Sequence, residues 1–282
     1  MAKSAVDRWL YNPAARILWA VSLVIAAALA SPVAQAASVT EVFSASDETA
    51  TKTVDHAPWA GLIGRYVTPG AQGLNVFDYA AVTQADRTAL KTYLKDLQAV
   101  RVSTLPRRAQ MPFWINLYNA LTVEVILDNY PVKSIRDIKS GLFSSGPWST
   151  ELVRVEGHDL SLDDIEHEIL RPIWKDKRIH YAVNCASISC PNLAATAYTE
   201  QNTPDLLEQG ARDYINSPRG VRFKGGEIIA SKLYSWYDDD FGSEQDLLAH
   251  LRKYAGPDLL ARLNGKTEIY DYEYDWGLNA PH

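Results

Sequence analysis

Residues 112–127 constrain this chain more than any other segment. From Phe113 through Leu127 the sequence is apolar nearly all round, with only Asn116, Asn119, Thr122 and Glu124 as polar interruptions. Pro112 suits the first turn of a helix, and Tyr130-Pro131 ends it. A helix with no polar face is buried on every side. The fold must therefore wrap other elements around this one. At the helical period, Asn116, Asn119 and Glu124 fall within one arc of about 140°. Buried amides and carboxylates need partners, so these three either tie down neighbouring loops or line a site.

The segments around it read as covering layers. Thr83 caps a helix whose apolar face holds Leu90, Tyr93, Leu94, Leu97 and Val100, with Arg87, Lys91, Lys95 and Asp96 opposite. Residues 59–79, punctuated by Pro69-Gly70 and Gly73, suggest short strands or turns. Residues 151–160 form a hairpin turning at Gly157-His158. Ser161 and Asp164 open a helix through Glu166, His167, Ile169 and Leu170, which Pro172 bounds. Residues 179–183 read as a buried strand running into Asn184-Cys185-Ala186-Ser187-Ile188-Ser189-Cys190-Pro191. A helix over 204–215 follows, then a hairpin at Gly225-Gly226, an aromatic and acidic segment over 233–241, and a helix from Ser243. The end alternates Tyr270, Tyr272 and Tyr274 with acids, which is strand periodicity. No regular βαβ units or repeats occur. The expectation is a single α+β domain over 58–282, with a buried central helix packed by short antiparallel strands and surrounding helices. Residues 37–57 are polar and aperiodic and are expected to form a loose leader.

Residues 1–36 read as a cleavable signal peptide. Lys3, Arg8 and Arg16 open it, an uncharged run of 14 residues fills 17–30, and Ala34-Gln35-Ala36 supplies the small residues of a cleavage site. A spanning helix needs about 20 apolar residues, so a retained anchor is the weaker alternative. The leader's net charge of +2, taken from the chain's −6, leaves −8 for the exported part. An acidic chain without basic clusters argues against nucleic acid and anionic membrane surfaces as partners. Peptides, envelope components or small molecules in the periplasm or outside the cell are the expected ones. The sequence does not indicate an oligomeric state.

Three motifs in order carry a resemblance. They are Phe113-Trp114-Ile115-Asn116-Leu117-Tyr118-Asn119-Ala120-Leu121-Thr122, then Asp164-Ile165-Glu166-His167-Glu168-Ile169-Leu170-Arg171, then residues 179–191. With the closing Tyr274-Asp275-Trp276-Gly277-Leu278-Asn279, the chain resembles the family catalogued as domain of unknown function 547, with a core over about 105–220. The resemblance implies no particular reaction, so the residues must supply the chemistry.

Cys185 is the sharpest candidate. A reactive thiolate needs its pKa lowered by an imidazolium or by hydrogen-bond donors. His180 is the candidate base, and Asn116, Asn184 or Glu166 could orient it. The alternative is structural. Cys185 and Cys190 are the only cysteines, and in an oxidising compartment they are candidates for a disulfide, which for so short a loop gives about 2 kcal/mol. A redox pair is weaker on spacing, because the motif is C-x4-C rather than C-x-x-C. Glu166, His167 and His180 are metal-ligand types, but no HExxH pattern holds them. Ser187 and Ser189 lack a nucleophile-elbow setting, and without phosphate loop or GxGxxG no cofactor is indicated. Two functional classes result. One is a thiol-dependent hydrolase or acyl transferase using Cys185, His180, Asn116 and Glu166. The other is a binding domain with a Cys185–Cys190 bridge that makes its contacts through Trp148, Trp236, Tyr237 and nearby acids, with metal binding as a further alternative.

The leader makes the first testable statement. Mass spectrometry of the protein from its native host should find the N-terminus at Ala37, within a few residues. An intact Met1 in a soluble cytoplasmic fraction would overturn export.

Overall fold

A computed structural model describes residues 37–139, 141 and 146–281, so the expected signal peptide lies outside the described residues. Residues 38–282 form one compact unit. Its elements are α1 (Val39–Phe43), α2 (Ala57–Tyr66), β1 (Val67–Pro69), β2 (Asn75–Phe77), α3 (Gln84–Gln98) and α4 (Arg107–Asn129). A hairpin of β3 (Val153–Val155) and β4 (His158–Leu160) follows, then a π-helical stretch Asp164–Leu170 that runs on into α5 (Arg171–Trp174). The C-terminal part holds α6 (Thr203–Ile215), β5 (Val221–Lys224), β6 (Glu227–Ser231), α7 (Lys232–Trp236), α8 (Asp238–Phe241), α9 (Glu244–Tyr254), α10 (Pro257–Leu263) and β7 (Asp271–Glu273). The fold is α+β, as expected, though β7 runs parallel to β6 while the other pairs are antiparallel. Among the described residues no helix is long and apolar enough to cross a membrane.

Helix α4 is the centre. Every residue from Ala109 to Leu127 is buried, and the main core, including Trp59, Leu94, Val155, Ile165 and Leu193, gathers around it. A second core forms among α6, β5, β6, α7, α8 and α9, where Tyr214, Tyr234, Phe241 and Leu251 pack together. The helix begins earlier than Pro112 alone suggests, and Pro112 sits in its second turn. Buried Gln110 explains the earlier start, since its amide donates to Ala45 O at 2.9 Å, Val102 O at 2.9 Å and Leu105 O at 3.0 Å. These bonds tie the loops before the helix into its first turns.

Four local expectations change. Residues 37–57 are docked rather than loose: Ser38 caps α1, and fully buried Phe43 meets Trp114 edge-on at 4.8 Å. One large apolar side chain anchors a polar stretch too short to show periodicity. Residues 57–66 are helical, with Pro58 in the first turn. Residues 177–181 form a 3-10 helix instead of a strand, because His180 turns toward carboxylates on neighbouring elements. Pro172 does not end its helix, since it falls in the first turn of α5, where a missing N–H costs little.

Asn116 and Asn119 are both buried and bonded. Asn116 Nδ2 donates to Tyr198 O at 2.8 Å, and Tyr198 N donates back to Oδ1 at 3.0 Å. Asn116→Leu would leave both Tyr198 backbone groups unpaired, at about 1–3 kcal/mol each. In urea unfolding this variant should lose clearly more stability than a substitution at exposed Lys95. Equal tolerance at the two positions would overturn the role of the clamp.

Candidate functional site

The second amide of α4 builds the site. Asn119 Nδ2 donates to Ala182 O at 2.9 Å, and Asn184 N donates to Asn119 Oδ1 at 2.8 Å. One side chain thus fixes the backbone on both sides of Val183. Asn184 then shapes the loop that follows: its Oδ1 accepts from Ala186 N at 2.9 Å and its Nδ2 donates to Pro191 O at 2.6 Å. Ala186 is left-handed, with φ 58°, and is fully buried. That conformation costs a residue with a side chain about 1–3 kcal/mol and persists only where surroundings hold it. The C-terminal segment does so. Ile188 N donates to Gly277 O at 2.7 Å, Ser189 N to Asp275 O at 3.1 Å and Asn279 N to Ala186 O at 3.1 Å. Arg219 donates to Cys190 O at 2.7 Å.

This framework presents two sulfurs. Cys185 and Cys190 are free thiols, with Sγ atoms 2.8 Å apart. Both line a cleft of ≈ 310 Å³, where Cys190 is buried and Cys185 is partly exposed. Cys185 Sγ lies 3.2 Å from Ser187 Oγ and 3.2 Å from Tyr274 Oη, and Cys185 N donates to Cys190 Sγ at 2.9 Å. Burial acts to raise the pKa of Cys185, but hydrogen bonds from Cys190, Ser187 and Tyr274 outweigh it and hold the thiol below its ordinary value. Cys190 moves the other way: burial and the neighbouring Cys185 push it well up. The two positions are chemically unequal.

His180 and Glu166 line the same cleft. His180 Nε2 lies 2.7 Å from Asp240 Oδ2, and Nδ1 faces Glu166 Oε1 at 3.5 Å without a hydrogen bond. Arg171 Nε donates to the same Asp240 oxygen at 2.5 Å, and Tyr237 lies over the imidazole with ring centroids 4.0 Å apart. Burial pulls the His180 pKa down, yet the hydrogen bond to Asp240 and the charges of Glu166 and Asp240 win and raise it. Hydrogen bonding to His180 and Arg171 holds Asp240 far below the usual carboxylate range. Asp240 holds one ring nitrogen and Nδ1 makes no hydrogen bond, so the pairing of His180 with Cys185 that the sequence suggested is not made as a hydrogen bond in this structure. Glu166 does face His180. Asn116 does not orient it, because the Tyr198 backbone occupies both of its polar atoms.

The aromatic residues expected to make contacts, Trp148, Trp236 and Tyr237, also line the cleft. Trp276 bridges them, with ring centroids 5.5 Å from Trp148 and 5.4 Å from Trp236. Among the described residues no group of three or more His, Cys, Asp or Glu side chains is arranged to hold a metal ion. Sequence reasoning missed Asp240 and Tyr274 as site residues. Each stood in a stretch noted only for its composition or alternation, and only folding brings them to His180 and Cys185.

Residues 102–215 match the model of the family described as Protein of unknown function, DUF547. The match contains both cysteines, His180, Glu166 and the two clamping asparagines, while Asp240 and Tyr274 lie beyond it. No curated protein and no solved structure matches the chain.

The His180–Asp240 pair has a pH signature. A raised His180 pKa gives stability that is fully present below its ordinary 6.5 and lost as pH rises through the raised value. Asp240, depressed from 3.8, gives stability present above 3.8 and lost as pH falls through its lowered value. The pair therefore contributes most between 3.8 and 6.5. Asp240→Asn should lower the His180 pKa in an NMR titration of the imidazole. It should also remove more stability at about pH 5 than at about pH 8 in urea unfolding. An unmoved His180 titration would show that the pairing is not formed.

Proposed function

We propose that this protein is an exported thiol enzyme, a hydrolase or acyl transferase, with Cys185 as its nucleophile. The observation that carries the reading is the environment of one sulfur. Cys185 lines an aromatic-walled cleft, and hydrogen bonds lower its pKa despite burial. A thiol already biased toward thiolate needs no paired imidazole to activate it, which suits a site whose histidine is engaged elsewhere. The thiolate attacks an acyl carbon and forms a thioester as the leaving group departs. Tyr274, its own pKa raised well above normal by burial and the cysteines, stays protonated and hydrogen-bonds the attacking sulfur. Water or a second nucleophile then releases the acyl group. The leader over residues 1–36 supports export.

A second reading has its own support. Sulfurs 2.8 Å apart could be bridged in the exported protein, leaving a non-catalytic domain that binds through Trp148, Trp236 and Tyr237. The same measurement separates the two. In reducing buffer, folded protein should react with iodoacetamide at Cys185 faster than at Cys190, with an apparent pKa below the free value of about 8.5. Tyr274→Phe should raise that pKa and slow alkylation near neutrality. A simple activated ester such as p-nitrophenyl acetate should acetylate Cys185, read by mass spectrometry. A bridge that opens only on unfolding would end the nucleophile reading and leave the binding domain.

A further inference from the structure

We infer that Cys185 and Cys190 form a directional dithiol–disulfide couple, in which Cys185 exchanges with an external disulfide and Cys190 resolves it. This rests on the thiol reading of the same site but adds an activity that acyl transfer does not require. Three observations carry it. The sulfurs are 2.8 Å apart as free thiols, so a bond of about 2.05 Å needs side-chain movement of less than about 1 Å. Both ends of the loop are pinned, at Asn184 by Asn119 and at Cys190 by Arg219, so closure need not drag the backbone. The two sulfurs also differ in access and acidity in the sense that exchange requires. Both line the cleft, but the partly exposed Cys185 is the better thiolate, and the buried Cys190 is shielded from attack until its neighbour has reacted.

The chemistry balances with a disulfide as the named co-reactant. Cys185 thiolate attacks one sulfur of a partner disulfide; that S–S bond breaks, and the first partner thiolate leaves and takes a proton from solvent. Cys190 then gives up its proton and attacks Cys185 Sγ in the mixed disulfide. The second partner sulfur leaves and takes up a proton in turn. The pair has lost two electrons and the partner has gained them as two thiols. The partner class is a small or peptide-borne disulfide able to reach a cleft edged by Trp236, Trp276 and Tyr237.

Tyr274 sets the balance point. Its hydroxyl bonds the Cys185 sulfur at 3.2 Å, which favours the reduced, thiolate form over the bridge. The test incubates folded, reduced protein with glutathione buffers of increasing oxidation, then quenches with acid, alkylates and maps the products by mass spectrometry. Wild type should pass in one transition from two alkylated cysteines to an internal bridge that reopens without denaturant. Cys190→Ser should trap a glutathione adduct on Cys185. Cys185→Ser should accumulate an adduct on Cys190 at least about tenfold more slowly. Tyr274→Phe should shift the transition so that the bridge persists in more reducing buffer, an effect that a merely structural tyrosine would not produce. If a variant fails to fold, the wild-type time course decides, since a transient adduct must appear on the Cys185 peptide before the bridge. Absence of a bridge at every ratio, a bridge that will not reopen, or capture of Cys190 as fast as Cys185 would overturn the proposal. Acetylation of Cys185 by the ester is read separately, so loss of one activity does not mask the other.

Discussion

Two amide side chains on a helix otherwise without polar faces hold this molecule in register. In a helix as buried as α4, an amide must find partners inside the protein, and the partners here are backbone groups from segments far along the chain. Asn116 takes both backbone groups of Tyr198, and Asn119 takes Ala182 O and Asn184 N. Leaving any of these buried groups unpaired costs about 1–3 kcal/mol, so the loops cannot shift without a penalty that is large against ordinary domain stability. The apolar faces of α4 supply the burial, and its amides decide where the irregular chain must run. The cysteine loop inherits its position from that constraint.

The cleft divides into two electrostatic parts. On one side the His180 imidazole, its pKa raised, sits between Glu166 and Asp240, with Arg171 on the same Asp240 oxygen. Burial opposes charge on every member, and pairing overrides burial at each of them. Such an arrangement is rigid and costly to break, because removing one member strands another charge. On the other side the sulfurs depend on neutral hydrogen-bonding partners. The thiol of Cys190 and the hydroxyls of Ser187 and Tyr274 bias Cys185 toward thiolate without a cation in contact. Tyr237 stands against His180 while lining the cleft, and so forms part of the wall between the two. The imidazole is thus tied to carboxylates, while the sulfur pair meets only neutral hydrogen-bonding groups.

The strained turn at Ala186 fits this division. A buried, left-handed alanine is held by Asn184 within the loop and by Asn279 from the C-terminal segment. Strain of this kind survives where many bonds over-determine the backbone, and here those bonds aim Cys185 into the cleft. The C-terminal segment, which lies beyond the family match, thereby contributes both the brace and Tyr274.

What could be read in the sequence was whatever depends on local pattern. An all-round apolar helix with two amides implies a buried centre and bonded asparagines. The cap at Thr83, the Gly-Gly hairpin and the repeating apolar faces mark their elements, because each follows from the helix or strand period. The clustering of His180, Cys185 and Cys190 in one segment marked the candidate site. Tertiary structure decided the pairings, because those are set by distances between segments that share no periodicity. It sent His180 to Asp240, 60 residues away, and made residues 177–181 a 3-10 helix where the apolar run suggested a strand. Phe43 was drawn from a polar leader into the core, and Tyr274 was laid beside Cys185 across 89 residues. The sequence alone determined that α4 is buried and that two thiols lie close by in the chain. Which groups surround those thiols, and so which sulfur is the more acidic, depended on how buried polar groups from distant segments satisfied one another.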